Sequence, residues 1–326
     1  MIAPRTVTQD EDGIRLDRWL RRHHPGLGQA TIQKWCRTGQ VRVDGHRVAA
    51  DVRLQTGQAV RVPPIPAPAE TPAPAPADPG AAKAIAAMML YEDSSLLVLN
   101  KPSGLPTQGG PGIRQHLDGM LAALRPDGGE RPRLVHRLDR DTSGVLVVAR
   151  SPGVAAKLAA AFRTRAVEKT YWAVVAGRPV PVQGRIDAPL TRRDGHLGER
   201  AGLAGPAEEG TAAITDYRTL DHAARRLAWL ELRPLTGRTH QLRVHCASLG
   251  TPILGDWAYG VERESGNSAV VAGLPDRLHL HARRLVLPHP AGGRLVVEAP
   301  LPPHMAQTFR DLGFTAPAVV PPQGGG

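Results

Sequence analysis

The sequence predicts a mixed α+β protein in two folded parts, and three observations carry that expectation. A proline-rich run interrupts the chain after residue 62, a short helix–helix–hairpin pattern precedes it, and β-rich and helical stretches alternate irregularly behind it. With 326 residues the chain has enough length for one sizeable core and a smaller module. Hydrophobic residues at 41% and charged residues at 22% are ordinary globular usage, which excludes wholesale disorder.

Residues 14–62 form the first part. Leu16, Trp19 and Leu20 are spaced as one helix face, and Ile32, Trp35 and Cys36 repeat that spacing in a second helix. VRVDGHRV then alternates apolar and polar residues around Asp44-Gly45, a two-residue hairpin turn that tolerates positive φ. The run PPIPAPAETPAPAPADPG (63–80) has eight prolines in 18 positions. It can bury little and favours polyproline II over a helix or a central strand. At about 3.1 Å per residue it spans up to roughly 55 Å, so 63–83 reads as a tether. A ligand for SH3-like domains is the alternative, but a linker needs no partner.

Behind the tether, residues 84–314 form the second part. LLVLN (96–100), GVLVVA (144–149), TYWAVVAG (170–177), LAWLELR (227–233), LHLHARRLVL (278–287) and GRLVVEA (293–299) read as strands. Residues 113–124, 154–164, 239–249 and 304–312 read as helices, the third with Leu242, Cys246 and Leu249 along one face. Strands and helices do not alternate in a βαβ rhythm, which favours α+β over a doubly wound sheet. Residues 315–326 read as a frayed tail.

Charge and composition narrow the function. Lys and Arg number 41 against 30 Asp and Glu, a net charge of +11, which makes a polyanion the natural partner, nucleic acid before a membrane. Residues 14–62 hold ten basic residues against three acids, seven of those eleven charges. A phosphate-contacting surface and a plain solvated face both fit that concentration. Two cysteines, Cys36 and Cys246, allow neither a disulfide framework nor a four-thiolate zinc site. The start MIAPRTVTQDEDG lacks the apolar core of a secretion signal, and no stretch nears about 18 apolar residues. A cytoplasmic protein without membrane contact is expected. There is no P-loop or GxGxxG, so nothing argues for a nucleotide cofactor. The 13 histidines include His279/His281 and His240/His245, but neither pair carries a zinc-motif pattern, and no metal is expected.

The densest polar constellation is RLVHRLDRDTSGVLVVAR (133–150), where His136 to Ser143 run directly into an apolar strand. Such a cluster sits at a domain's edge, where a cleft can form. In an extended segment Arg137, Asp139 and Asp141 share one side and Arg140 the other. Cations Arg137 and Arg140 would hold Asp139 ionised, the state a carboxylate nucleophile requires. On residues alone such a cluster is more often a surface salt-bridge network or a turn than an active site. In RPLTGRTHQLRVH (233–245), Gly237 permits close approach and Arg238 precedes a helix, a locally positive place for a carboxylate or phosphate. An ordinary helix start is the plain alternative. Tyr171 enters a strand behind Glu168 and Lys169, as core or as site. With 12 aromatics in the whole chain, any base stacking must be selective.

HRLDRDTSG, EKTYWAVVAG and TGRTHQLRVHCASLGTPILGDWAYG occur in that order, with NKPSGLPT, GTAAITDYRTL and LHLHARRL around them. Together they resemble the RluA family of RNA pseudouridine synthases along residues 90–300. RLDRWL…ATIQKWCRTGQVRVDG resembles the S4 RNA-binding module, a usual attachment in that family. The resemblance implies a largely antiparallel catalytic sheet with a central cleft. It implies Asp139 as catalytic aspartate, Tyr171 packed on the target base, and Arg238 paired with the aspartate. Arg137, with Arg140 beside it, would act in displacing the extruded nucleotide. In the S4-like module Arg15, Arg18, Lys34, Arg37 and Arg42 would meet RNA. The implied reaction is isomerisation of uridine in structured RNA, with no cofactor, by a monomer. Large-subunit ribosomal RNA is the first substrate and transfer RNA the second. Asp139 could attack C1′ or C6, or take the C2′ proton, and the sequence does not choose. Two departures bear on which RNA is accepted: no histidine follows the KPSGL string, and Cys246 and Trp257 stand where relatives vary. A silent RNA-binding protein and a carboxylate-dependent nucleoside hydrolase are the competing readings. The intact Asp139, Tyr171 and Arg238 speak against the first, and the lack of a second acid–base carboxylate against the other.

Overall fold

The computed structural model describes residues 4–64, 79–110, 112–125, 129–195, 198–224, 226–260 and 273–324. It divides into two units, Met1–Ala75 and Pro76–Gly326. Of the proline-rich tether, 65–78 lie outside the described residues.

In the first unit come β1 (Arg5–Thr6), α1 (Leu16–His23), α2 (Gln29–Arg37), β2 (Arg42–Val43), β3 (His46–Arg47) and β4 (Ala59–Arg61). The strands form a sheet of order β1-β4-β2-β3, so the unit starts earlier than residue 14, with β1 on β4. Leu16, Trp19 and Leu20 of α1 meet Ile32, Trp35 and Cys36 of α2 in one core with Val43 and Val60. Asp44 (φ 50°) and Gly45 (φ 80°) make the tight turn between β2 and β3 that their residue types favour. Below the indole of Trp19, Glu11 is buried, and burial alone would raise its pKa. Hydrogen bonds from Trp19, Thr8 and His23 hold its carboxyl down at about 2 instead.

The second unit opens with α3 (Pro79–Ala87), so the tether expected over 63–83 ends sooner. Pro79 is tolerated because a first-turn proline loses no helical hydrogen bond, while Ala81 and Ile85 are buried. Next are β5 (Met89–Glu92), β6 (Leu96–Lys101), α4 (Leu117–Met120), β7 (Arg133–Leu134), β8 (Ser143–Ala149), α5 (Pro152–Arg163) and β9 (Glu168–Ala176). Then follow β10 (Gln183–Asp187), β11 (Leu190–Gly195), β12 (Gly198–Leu203), β13 (Ile214–Ala223), β14 (Leu227–Pro234) and α6 (Gln241–Ser248). The last are β15 (Leu280–Pro288), β16 (Arg294–Glu298), α7 (Pro303–Leu312) and β17 (Gln323–Gly324).

The main sheet has the order β10-β13-β14-β9-β15-β8-β6-β5, with β7 on β8, β16 on β15 and β17 on β16. Among the described pairs only β8 with β15 is parallel, so the sheet is mixed and mostly antiparallel. The uninterrupted apolar runs of β6 and β8 suit strands covered on both faces. Leu96, Val98, Val145 and Val147 join the core beside α5, while Leu97, Leu99, Leu146 and Val148 join the core with Ile85 and Leu117. No helix among the described residues is long and apolar enough to cross a membrane.

Two expectations are corrected here. The helix over 113–124 is shorter: α4 starts after His116, whose Nδ1 accepts the Gly119 N–H at 2.9 Å, and continues as a tight turn to Leu124. The stretch 315–324 is docked rather than frayed. Its β17 pairs with β16, and the Arg283 guanidinium donates to the Pro317 carbonyl at 3.3 Å. The polar strands β10 to β13 carry too little apolar alternation to be read from sequence.

Candidate active site

A cavity of about 1030 Å³ opens where the loop before β8, the start of β9, and the β14–α6 connection converge. Its walls include Arg137, Asp139, Thr142, Tyr171, Arg238, His240 and Arg243, so three motifs far apart in sequence meet in one place. Arg163, Arg165, Lys169, Arg233 and Arg284 add to its positive lining. Two of its three acids are paired elsewhere, Asp216 with Arg185 at 2.6 Å and Glu168 with Arg294 at 2.5 Å. The half-buried Asp139 carboxylate makes no hydrogen bond or ion pair with another described residue.

Asp139 is aimed by the chain on both sides of it. Thr107 Oγ1 donates to the Leu138 carbonyl at 2.6 Å, Ser103 Oγ to that of Asp141 at 2.8 Å, and Gly104 N–H to that of Arg140 at 2.9 Å. Lys101 is fully buried and spends its ammonium on the carbonyls of Pro102, Leu105 and Arg140, all within 2.9 Å. Burial pulls its pKa down to about 8, against the opposing pull of Asp141 and Asp139. The NKPSGLPT segment is therefore a clamp on the aspartate loop, a role that was not read from the sequence.

The residues of the loop divide as its geometry dictates. Arg137 is exposed and lines the cavity with Asp139. Arg140 and Asp141 pair with each other through two contacts of 3.1 Å outside that lining, so Asp141 does not share the aspartate's side as an extended strand would have it. His136 turns inward, stacks on Phe162 at 4.5 Å and accepts the Val147 N–H through Nε2 at 2.8 Å. Burial, with Lys169 nearby, lowers its pKa to about 3 and keeps it neutral. Tyr171 packs between two cores, the one that holds Ala173 and Leu232 and the one that holds Leu138 and Ala282. Burial, then the charge on Asp139, pushes its phenol above the usual range, so it stays protonated at neutral pH.

Arg238 lines the cavity but is exposed, and its Nε donates to the Ala212 carbonyl at 3.1 Å. No ion pair joins it to Asp139 among the described residues. The arginine that feels Asp139 is Arg243, five residues on. Its buried guanidinium donates to both oxygens of Asp256 at 2.8 and 2.7 Å and lies 5.0 Å over the Tyr259 ring. Burial opposes its charge, but Asp256, and after it Asp139, hold its pKa above the ordinary value. The displacement has a backbone cause. His240 takes a left-handed φ of 53° just before α6, which leaves Arg238 outside the helix and places Arg243 within its first turn. Nδ1 of His240 meets the Tyr259 hydroxyl at 2.8 Å.

In the first unit Arg18, Lys34, Arg37 and Arg42 are exposed, Arg42 donating to the carbonyls of Gly39 and Gly45. Arg15 is half-buried and pairs with Asp17 at 2.9 Å. Nine of the ten basic side chains of 14–62 are exposed. No group of three or more His, Cys, Asp or Glu that could hold a metal occurs among the described residues.

The family model described as RNA pseudouridylate synthase matches residues 95–248, a span that contains this cavity's aspartate loop and α6. The chain is similar to ribosomal large subunit pseudouridine synthase C of Escherichia coli K12, 37% identical over 94% of this chain and 95% of that one. RNA pseudouridine synthase 4, mitochondrial, of Arabidopsis thaliana is 35% identical over 90% of this chain and 78% of that one. Among solved structures, human RNA pseudouridylate synthase domain containing 4 superposes with a TM-score of 0.61 at 32% identity, covering 73% of this chain and 97% of that one.

Proposed function

Because the chain belongs to the RNA pseudouridylate synthase family, we propose that it isomerises uridine in large-subunit ribosomal RNA with Asp139 as the catalytic carboxylate. The observation that carries the assignment of Asp139 is a carboxylate without an ion pair in an otherwise basic cavity, facing Tyr171 and the Asp256-held Arg243. The substrate class rests on relatives whose names specify the ribosomal large subunit.

A stacked uridine hides its C1′ and C5, so it must leave the stack at a cost of a few kcal/mol. In this reading Arg137, which is exposed and lines the cavity, occupies the space the base vacates. In the cavity the C1′–N1 bond breaks, uracil turns, C5 bonds to C1′, and the C5 proton is replaced by one on nitrogen. Substrate and product are isomers, so atoms balance without a co-reactant. Arg243, rather than Arg238, is the arginine that interacts with the Asp139 charge and aims it, because it is buried and rigidly held. Tyr171 forms the wall on which the detached uracil rests, and Arg238, exposed, serves the RNA backbone. We assign the first unit as an S4-like RNA-binding module on its two helices, hairpin and exposed basic face.

The test is tritium release from C5-labelled uridine in bulk ribosomal RNA by the full chain and by Asp139→Ala. Release by the parent alone is expected. Release by both removes Asp139 from the mechanism. Release from transfer RNA but not ribosomal RNA moves the substrate.

A further inference from the structure

Trp257 stands apart from every other aromatic side chain of the protein. All twelve aromatics lie among the described residues, and Trp257 alone is exposed, at 51%. It sits in the turn that follows α6, and that turn is not loose. Asp256 Oδ1 accepts the N–H groups of Ala258 and Tyr259 at 3.0 and 3.2 Å while holding Arg243, and the Gly260 N–H returns to the Asp256 carbonyl at 2.7 Å. The same carboxylate that fixes the active-site arginine therefore fixes the backbone that presents the indole. Over the indole lies the Arg200 guanidinium, 5.2 Å from the ring centroid. Arg200 belongs to β12, and the β11–β12 hairpin is anchored to the site, since Ala201 N–H donates to the Tyr259 hydroxyl at 3.1 Å. Leu190, Ala201 and Val244 of α6 pack together beneath it.

A rigidly mounted indole costs solvation and gives nothing to the core, and its partner is a cation rather than an apolar group. An aromatic face with an arginine over it is the pair that binds an unstacked base beside a phosphate. Trp257 does not line the cavity, but the turn that carries it is bonded to two residues that do, Arg243 through Asp256 and His240 through Tyr259. We infer that Trp257 with Arg200 is a stacking site for an unpaired nucleobase next to the uridine that enters the cavity, and so a determinant of which RNA is accepted. This rests on the synthase reading for its substrate class but uses none of the reacting residues.

The experiment uses the full chain carrying Asp139→Asn, so that bound RNA is not turned over, and an unpaired oligouridylate against a fully paired RNA duplex of equal length. The oligouridylate should quench tryptophan emission and protect it from acrylamide, while the duplex should do neither. Trp257→Ala should abolish both signals and weaken oligouridylate binding about tenfold, the scale of one lost base stack. In the Asp139 background, tritium release by Trp257→Ala should show KM raised about tenfold with kcat within twofold of the parent, and Trp257→Phe should recover most of the loss. Affinity and KM within twofold of the parent in Trp257→Ala would overturn the stacking site while leaving the synthase reading intact. Absence of tritium release by the parent would defeat the synthase reading, and the fluorescence arms would still decide the stacking site.

Discussion

Asp139 and Asp256 both act on Arg243, and their surroundings give them opposite work. Asp256 is wholly buried against the guanidinium with two hydrogen bonds, whereas Asp139 is open to the cavity without an ion pair. Removing one partner of a buried pair strands a charge, at a cost of about 3–5 kcal/mol. Asp256→Ala should therefore lower the unfolding midpoint sharply and reduce turnover through a displaced Arg243. Asp139→Asn should abolish tritium release and leave the unfolding free energy within about 1 kcal/mol of the parent, since no native partner is lost. Equal stability loss in the two variants, by urea unfolding, would contradict this division. The polar cluster of HRLDRDTSG drew attention to Asp139 where it breaks into an apolar strand, but only the family resemblance of that string singled it out. Arg243 was hidden because QLRVH reads as an amphipathic helix and its partner lies 13 residues away, beyond any local pattern. Arg238, the more conspicuous arginine, stands before the helix rather than in it.

The elements that hold the site depend on close backbone approach and on neutral histidines. Gly144 opens β8 with φ +113°, and a Cβ there would collide with the Ala282 carbonyl of the parallel neighbour β15. Left-handed strain and overpacking together make Gly144→Ala cost about 2–5 kcal/mol, read as a fall in melting temperature or as insoluble protein. On β15 and just before it, His281 is buried between Ser143 Oγ and the Ala299 carbonyl, and His279 between Thr308 and the Arg277 carbonyl. Burial lowers them to about 3 and about 4. Folded pKa values below the unfolded value mean that the unfolded chain binds protons first as pH falls. Stability is thus full above about 6.5 and lost below it, at about 1.4 kcal/mol per pH unit for each ring. Between pH 7.5 and 5.5 the two should remove about 3 kcal/mol, on top of the share of His136, which burial also lowers to about 3, and His279→Asn should shrink the measured difference by about 1.4 kcal/mol. A urea midpoint independent of pH over this range would exclude both as the cause. Strands β6, β8, β9, β14 and β15 were legible because both their faces are apolar or alternate cleanly. The hairpin of β11 and β12 was not, because TRRDGHLGER carries the composition of a solvated loop and is held by the Tyr259 hydroxyl and a small apolar contact to α6.

At the scale of the molecule, charge is divided as unevenly as structure. Proline density puts the break after residue 62, whereas the two units divide between Ala75 and Pro76, and it could not see that α3 begins on a proline or that β17 returns to the sheet. Both depend on tertiary partners, the core around Ile85 and the edge of β16, which no local window contains. Seven of the eleven net positive charges lie in 14–62, and nine of the ten basic side chains there are exposed. If that face contacts phosphate, each contact releases condensed counterions, so binding should weaken steeply with salt. Replacing Arg18, Lys34 and Arg37 together by Gln leaves the helices' buried faces intact and removes three exposed cations from the full chain. The slope of log K against log salt should then become shallower by about 2 to 3, taking about 0.7 per phosphate on single strands and 0.9 on duplex. The rate at saturating RNA should hold, because these residues sit outside the unit that carries Asp139. An unchanged slope would mean that the basic face is a solvated surface, and that the positive lining of the catalytic cavity alone grips the RNA.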